Sequence, residues 1–217
     1  MPSSLARAMS PLDGTLEVKC FLSEEAAAKL SPRDFVPIFH EWIRSDRLPE
    51  ETLIDVADYS HLRGGPGVVL VGHRAAYGLD AVAGRLGLSY RLGPSAAESR
   101  MPRLELALFR ALRACRALEE EGPRGIVRFR TDEVRLRFLD RLRAPRARQT
   151  RAAALAETAP FFERIFSGAR SLEIRDLSPV GDGEPLGLVI ETAPPPPLGI
   201  LLARVSRDGR GTSAAED

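Results

Sequence analysis

Apolar and polar residues alternate along the segment TLEVKCFL, residues 15–22, and this pattern predicts a strand with one apolar face. A helix is predicted from Ser31 to about Asp46, because Ser31 suits the N-cap, Pro32 suits the first helical position and apolar residues follow at helical spacing. The same spacing predicts a long helix over 100–121 and a third over 150–167, which Pro160 should kink or split.

Short apolar runs bounded by turn residues predict the remaining strands. Two of them, 52–58 and 67–73, flank a glycine-rich turn, and a short strand is expected over 86–92. Residues 125–139 alternate and predict a hairpin around Thr131-Asp132-Glu133, and further strands are predicted over 171–176 and 186–192. The apolar stretch LGILLARV that follows predicts an added edge strand or a docked segment.

This pattern predicts an α+β fold with a mostly antiparallel sheet and about three helices packed on it, in the order β-αββ-αββ-αββ. We expect a single domain over residues 14–193, with an extension to about 205 as the alternative. The segments 1–13 and 206–217 are predicted to be disordered tails.

Composition narrows the class of protein. The 217 residues carry a net charge of +1, with 44% hydrophobic and 28% charged residues, which is ordinary for a soluble globular protein. No apolar run is long enough to cross a membrane, and the N-terminus lacks the apolar core of a signal peptide. Cys20 and Cys115 show no metal-binding spacing and are expected to be buried free thiols. We therefore expect a soluble cytoplasmic protein without a cofactor or a metal, and the oligomeric state stays open.

Ionisable residues are concentrated in two otherwise apolar strands. Asp55 has apolar neighbours on its strand face, which would remove its carboxylate from water, and His73 ends the partner strand. Asp55 and His73 are therefore candidate catalytic or ligand-binding residues. The alternative is that both make structural hydrogen bonds at strand ends. His61 and His73 should lie at opposite ends of this hairpin, which argues against a metal site built from both.

The turn RGGPG, residues 63–67, offers backbone N–H groups that could cradle an anion. It leads into a strand, however, so no helix dipole would reinforce the binding of a phosphate. A plain loop in which glycine permits positive φ is the simpler interpretation.

Arginines dominate the centre of the chain. Arg128, Arg130, Arg135 and Arg137 alternate with apolar residues and should share one sheet face, where they would repel one another unless acids or an anionic partner intervene. The absence of interleaved aromatic residues argues against nucleic acid. A solvated face partly neutralised by acids from elsewhere is the alternative. Only Lys19 and Lys29 are lysines and the other 29 basic residues are arginines, a bias that a GC-rich genome also produces.

The segments LIDVADYSHLRGGPGVVLVGHRAAYGLD and FRTDEVRLRFLDRLRAP resemble a family of uncharacterised bacterial proteins, some of them cyanobacterial. The resemblance covers most of the chain and implies a small soluble protein, without an activity or site residues. The leading hypothesis is a non-enzymatic binding or scaffold protein whose arginine face binds an acidic protein or another anionic partner. The alternative is an enzyme or small-ligand-binding protein with a pocket around Asp55 and His73.

Overall fold

The computed structural model describes residues 10–94, 101–177 and 184–211, with side chains as far as residue 206. The strands within these ranges are β1 (Leu16–Leu22), β2 (Leu53–Asp58), β3 (Val68–Gly72), β4 (Ala75–Asp80), β5 (Gly87–Leu92), β6 (Phe129–Phe138), β7 (Ser171–Asp176) and β8 (Leu186–Ala193). They form one antiparallel sheet in the order β2-β3-β4-β5-β1-β6-β8-β7. The first strand of the chain therefore lies near the middle of the sheet.

The helices cover one face of this sheet. Those in the described ranges are α1 (Glu24–Ala27), α2 (Val36–Ser45), α3 (Arg103–Glu121), α4 (Arg148–Ile165) and α5 (Leu198–Gly211). The helix α3 packs over β1 and β5, α2 lies over β2, and α4 lies over β7 and β8. The last helix, α5, packs on α3 and also contacts α4.

The hydrophobic core lies between the sheet and these helices. The even-numbered residues of β1 from Leu16 to Leu22 are buried in it, and their partners are the apolar positions of α3. Phe39 and Trp42 of α2 are fully buried, with ring centroids 5.5 Å apart, and the Trp42 indole donates to Glu121 at 2.9 Å. Burial of each such side chain stabilises the folded state by about 1.5–3 kcal/mol, so these apolar contacts hold the helices on the sheet.

The predicted fold class is confirmed, since the structure is α+β with an antiparallel sheet. The predicted pairing of the strands around the glycine-rich turn is also present, with Asp55 opposite Val71. The predicted element order is not confirmed, because four consecutive strands lie between α2 and α3 and five helices are described. The additional strand is β4, whose small residues Ala75, Ala76 and Gly78 weaken the apolar pattern that marks a strand.

The predicted hairpin over residues 125–139 is wrong. One strand, β6, continues through Thr131-Asp132-Glu133 and pairs with β1 on one edge and β8 on the other. In the sequence these polar residues are typical of a turn, but in the structure they are part of the strand. Asp132 accepts both hydrogen bonds from Arg130, and Glu133 is buried beneath two arginines on the sheet face away from the helices.

The ends of the chain differ from the expected tails where they are described. Residues 1–9 and 212–217 lie outside the described residues, but Pro11–Asp13 form a short 3-10 helix, and the Arg103 guanidinium donates to the carbonyls of Leu12 and Gly14. The stretch LGILLARV forms helix α5 and not an edge strand. Its residues Leu201 and Val205 are buried, so the domain extends beyond residue 193.

Candidate ligand site

The sheet face turned away from the helices carries charged residues at the centre of the sheet. The odd-numbered residues of β1 point to this face, where the strand register places Lys19 between Ser89 of β5 and Arg135 of β6. One pair further along the strands, Glu17 lies between Arg91 and Arg137. A row of ionisable groups therefore crosses three adjacent strands, on the face that carries no helical layer in the described structure.

A cavity of about 430 Å³ lies over this row. Its floor is made by β1, β4 and β5, where Ala76 and Gly78 leave room above the sheet. The walls come from the turn after β2, the turn after β4, the arginines of β6 and the segment before β8, through the residues Gly64, Gly65, Pro66, Val82, Ala83, Arg135, Arg137, Glu184 and Pro185. The volume is within the range of small-molecule sites.

Glycine is required where the wall turn meets β4. Gly67 has φ +68°, and a Cβ added there would clash with the carbonyl oxygen of Leu79. Its own carbonyl accepts a hydrogen bond from the Tyr59 N–H at 2.7 Å. This close approach folds the turn against the sheet, so that Gly64, Gly65 and Pro66 line the cavity.

The floor holds a buried ion pair. The Lys19 ammonium donates to Asp80 Oδ1 at 2.5 Å and reaches the Asp80 carbonyl at 3.5 Å. The same Oδ1 accepts the backbone N–H of Val82 at 3.0 Å, and the Ser89 hydroxyl lies 3.5 Å from Oδ2. Burial lowers the pKa of Lys19, an effect that Asp80 and Glu17 oppose because their negative charges favour the ammonium.

The arginines around the floor are held by carboxylates. Glu17 is 4% exposed and accepts from Arg91 at 2.9 Å and from Arg137 at 3.1 Å, so one acid fixes two guanidinium groups. A second contact of Arg137, to Glu184 at 2.6 Å, joins the cavity floor to its outer wall. These bonds set the positions of the cavity's positive charges before any ligand enters.

A second carboxylate, Glu133, holds the end of the row. It accepts two hydrogen bonds from Arg85, at 2.8 and 2.7 Å, and one from Arg135 at 3.0 Å. Both guanidinium groups stack on the Phe21 ring, at 3.8 and 4.6 Å from its centroid. Desolvation of Glu133 acts against its ionisation, but the two arginines outweigh it and lower its pKa.

The four predicted binding arginines do not form one continuous face. Arg135 and Arg137 line the cavity, whereas Arg130 pairs with Asp132 beyond its end. Arg128 precedes β6, is exposed, and donates to the Val127 carbonyl. The expected repulsion among bare guanidinium groups is absent from the described part of the chain, since acids neutralise three of the four.

The candidate residues of the predicted pocket lie elsewhere. Asp55 is exposed on the edge strand β2, where its carboxylate accepts the Val56 N–H at 2.7 Å. The expectation that its neighbours remove it from water is wrong, because an edge strand leaves that face open. His73 is exposed, and neither Asp55 nor His73 lines the cavity. Among the residues described, no group of three His, Cys, Asp or Glu side chains could hold a metal ion.

The cysteines are free and buried, as predicted. They meet in the core between β1 and α3, and burial raises the pKa of Cys115, which keeps its thiol protonated. Lys19 and Asp80 are the site residues that the sequence reasoning did not select. The available signal was a lysine in the middle of a strand of a chain that otherwise uses arginine almost exclusively.

No protein-family model matches the chain, and comparisons with curated proteins and with solved structures find no significant similarity. The resemblance noted from the sequence therefore stays a prediction. In the described ranges, no helix combines the length and apolar character needed to cross a membrane.

Proposed function

We propose that the protein binds a small anionic molecule in the cavity over Lys19 and Asp80. The observation that carries this proposal is a cluster of polar side chains, each less than a tenth exposed, at the floor of a cavity of about 430 Å³. Buried charges at the centre of a sheet are costly unless they are paired, and an apolar pair often serves stability equally well. Their presence beneath a cavity favours a role in binding.

The charge of the lining favours an anion. Among the described residues that line the cavity, four cationic side chains, Lys19, Arg91, Arg135 and Arg137, face three acids, Glu17, Asp80 and Glu184. The excess of one positive charge suits a ligand with a single carboxylate or a comparable anionic group. Guanidinium groups already held by acids lose little freedom on binding, so they can recognise such a group at low entropic cost.

The sequence predicted an anionic partner of unspecified size, and this proposal restricts it to a small molecule. Arg135 and Arg137 remain binding residues in the proposal, as walls of the cavity. The site also replaces the predicted pocket around Asp55 and His73. Whether the bound molecule is also transformed depends on the chemistry of Lys19.

Calorimetric titration with small carboxylates and phosphates, each beside a neutral analogue, tests the proposal. We expect saturable binding of at least one anion, which Arg91→Gln weakens about tenfold, the loss of one charge-assisted contact. Arg33→Gln is the matched control, because Arg33 is an exposed arginine paired with Asp58 away from the cavity. Absence of binding across the panel, or equal losses in both variants, would overturn the proposal.

A further inference from the structure

Lys19 occupies a position where arginine would be the expected base. It is one of two lysines beside 29 arginines, and the cationic side chains around it on β5 and β6 are all arginines. Arginine would also neutralise Asp80, but its guanidinium does not give up a proton in proteins. A lysine at this point therefore adds something beyond charge, namely an amine that can become neutral.

Two glycines of the neighbouring strands lie close to this part of the site. A Cβ added at Gly87 would lie 2.5 Å from the Cys20 carbonyl oxygen and 3.0 Å from Lys19 Cε, and one at Gly78 would lie 2.7 Å from the Ser89 hydroxyl oxygen. Both acceptors that the ammonium reaches in the described structure are atoms of Asp80. An ammonium has three N–H groups, so these two contacts do not use all of them; Lys19 Nζ also lies 5.4 Å from the centroid of the Phe21 ring, and its side chain lines the cavity.

The surroundings supply a proton acceptor next to the amine. Asp80 Oδ1 lies 2.5 Å from Lys19 Nζ and can take its proton, and Oδ2 faces the Ser89 hydroxyl. The burial that lowers the pKa of Lys19 increases the fraction of neutral amine at a given pH. Amine, carboxylate and hydroxyl together meet the geometric needs of addition to a carbonyl group.

We propose that Lys19 forms an imine with a small anionic aldehyde or ketone held in the cavity. This rests on the proposed function, because Arg91, Arg135 and Arg137 would hold the ligand's anionic group while its carbonyl carbon approaches Lys19 Nζ. The class of ligand is therefore an oxo acid or a similarly sized carbonyl compound with one negative charge.

The step balances without an oxidant or a reductant. Asp80 takes one proton from the Lys19 ammonium, and the nitrogen lone pair attacks the carbonyl carbon while the C=O π pair moves to oxygen. The alkoxide takes the second proton from nitrogen, which gives a neutral carbinolamine. Asp80 then returns its proton to the hydroxyl, which leaves as water, and the nitrogen lone pair forms the C=N bond as a protonated imine.

Reductive trapping tests this chemistry directly. The full chain is incubated with glyoxylate and cyanoborohydride at pH 7, and carboxymethylation is followed by peptide mass spectrometry at Lys19 and Lys29. The Lys29 side chain is 52% exposed against 9% for Lys19, so accessibility alone favours Lys29. We expect the reverse order, with Lys19 modified about tenfold faster and saturably, because the bound aldehyde is held beside the amine.

Several variants and a second aldehyde make the outcomes distinct. Lys29→Arg should leave the Lys19 rate unchanged, and Asp80→Asn should slow it. Modification of Lys19 more slowly than Lys29 would overturn the proposal. If glyoxylate binds in an Arg91-dependent manner and Lys19 stays unmodified, anion binding stands and imine formation fails. If propanal and glyoxylate modify Lys19 equally well, the amine chemistry stands and the anion-binding function on which it rests fails.

Discussion

At the scale of single residues, the Tyr77 hydroxyl on the helical face of the sheet differs from the buried acids on the opposite face. On the sheet face turned away from the helices, the buried acids accept hydrogen bonds from basic side chains, as Glu17 does from Arg91 and Arg137. On the helical face, the Tyr77 hydroxyl is fully buried and has no hydrogen-bond partner among the described residues. A buried hydroxyl without a partner costs about 1–3 kcal/mol, so Tyr77 is a weak point of the core.

Tyr77→Phe should therefore leave the free energy of unfolding at pH 7 unchanged or raise it. Burial raises the pKa of Tyr77, and the adjacent Tyr90 and Glu51 add to the effect. Above pH 10 the unfolded state releases this proton while the folded state keeps it, so stability falls as pH rises. The advantage of Tyr77→Phe should grow between pH 9 and 11 in urea unfolding.

Tyr59→Phe is the control for this experiment, because the Tyr59 residue is 41% exposed. It should follow the wild-type dependence on pH. An advantage of Tyr77→Phe that stays constant from pH 7 to 11 would show that ionisation of the buried tyrosine does not contribute to alkaline unfolding.

At the scale of elements, α5 decides between the two expectations for LGILLARV, since this stretch docks as a helix and adds no edge strand. Its sequence follows Pro194–Pro197 and is short and apolar, and such a run does not by itself distinguish a strand from a helix. The distinction comes from α3, which packs against α5 in the folded protein. Leu198, Leu201 and Val205 recur at helical spacing and are buried there.

Leu201→Ala should lower the free energy of unfolding by about 2–5 kcal/mol, because the side chain is 1% exposed and its loss leaves a cavity between α5 and its neighbours. Ile200→Ala is the matched control, since Ile200 is the adjacent residue and is 46% exposed. It should change stability by about 0.5 kcal/mol or less. Similar losses for both variants in chemical denaturation would contradict the packing described for α5.

The sequence predicted the individual strands and helices better than it predicted which of them lie next to one another in the fold. Strand β1 and helix α3 follow from periodicity, because each presents one apolar stripe to the core, whereas the β2–β3 hairpin follows from two short apolar runs that flank a glycine-rich turn. The continuous strand β6 was not predicted because the polar residue Glu133 is typical of a turn. Its carboxylate is accommodated in the strand by Arg85 and Arg135, which come next to it only in the folded sheet. The candidate site was missed for the same reason, since Lys19 and Asp80 are 61 residues apart and meet through strand pairing.

At the scale of the whole molecule, the sheet is open at both edges within the described structure, with β2 at one end and β7 at the other. The edge strand β2 carries Ile54, which is 56% exposed, next to the exposed carboxylate of Asp55. Charges on an edge strand discourage another chain from pairing with it. This gives Asp55 a physical role that requires exposure, in place of the buried acid that the sequence indicated.

Asp55→Thr should therefore promote association between molecules while leaving the monomer folded. Threonine suits a strand and removes the charge, so the exposed edge and Ile54 become a more favourable surface for pairing. Sedimentation velocity over a range of concentrations should show a larger associated fraction than in the wild type. Glu25→Thr, at an exposed position on α1, changes the net charge equally and should not associate more. Equal association of the two variants would assign the effect to net charge.

The central position of β1 has a consequence for the motion of the site. Most of its backbone is hydrogen-bonded on both edges, to β5 and to β6, and these partners come from distant parts of the chain. Amide protons in such a strand exchange with solvent only when most of the sheet opens. The floor that carries Lys19 therefore belongs to the most slowly exchanging part of the protein, and any adjustment to the proposed ligand would fall to the turns that form the cavity walls.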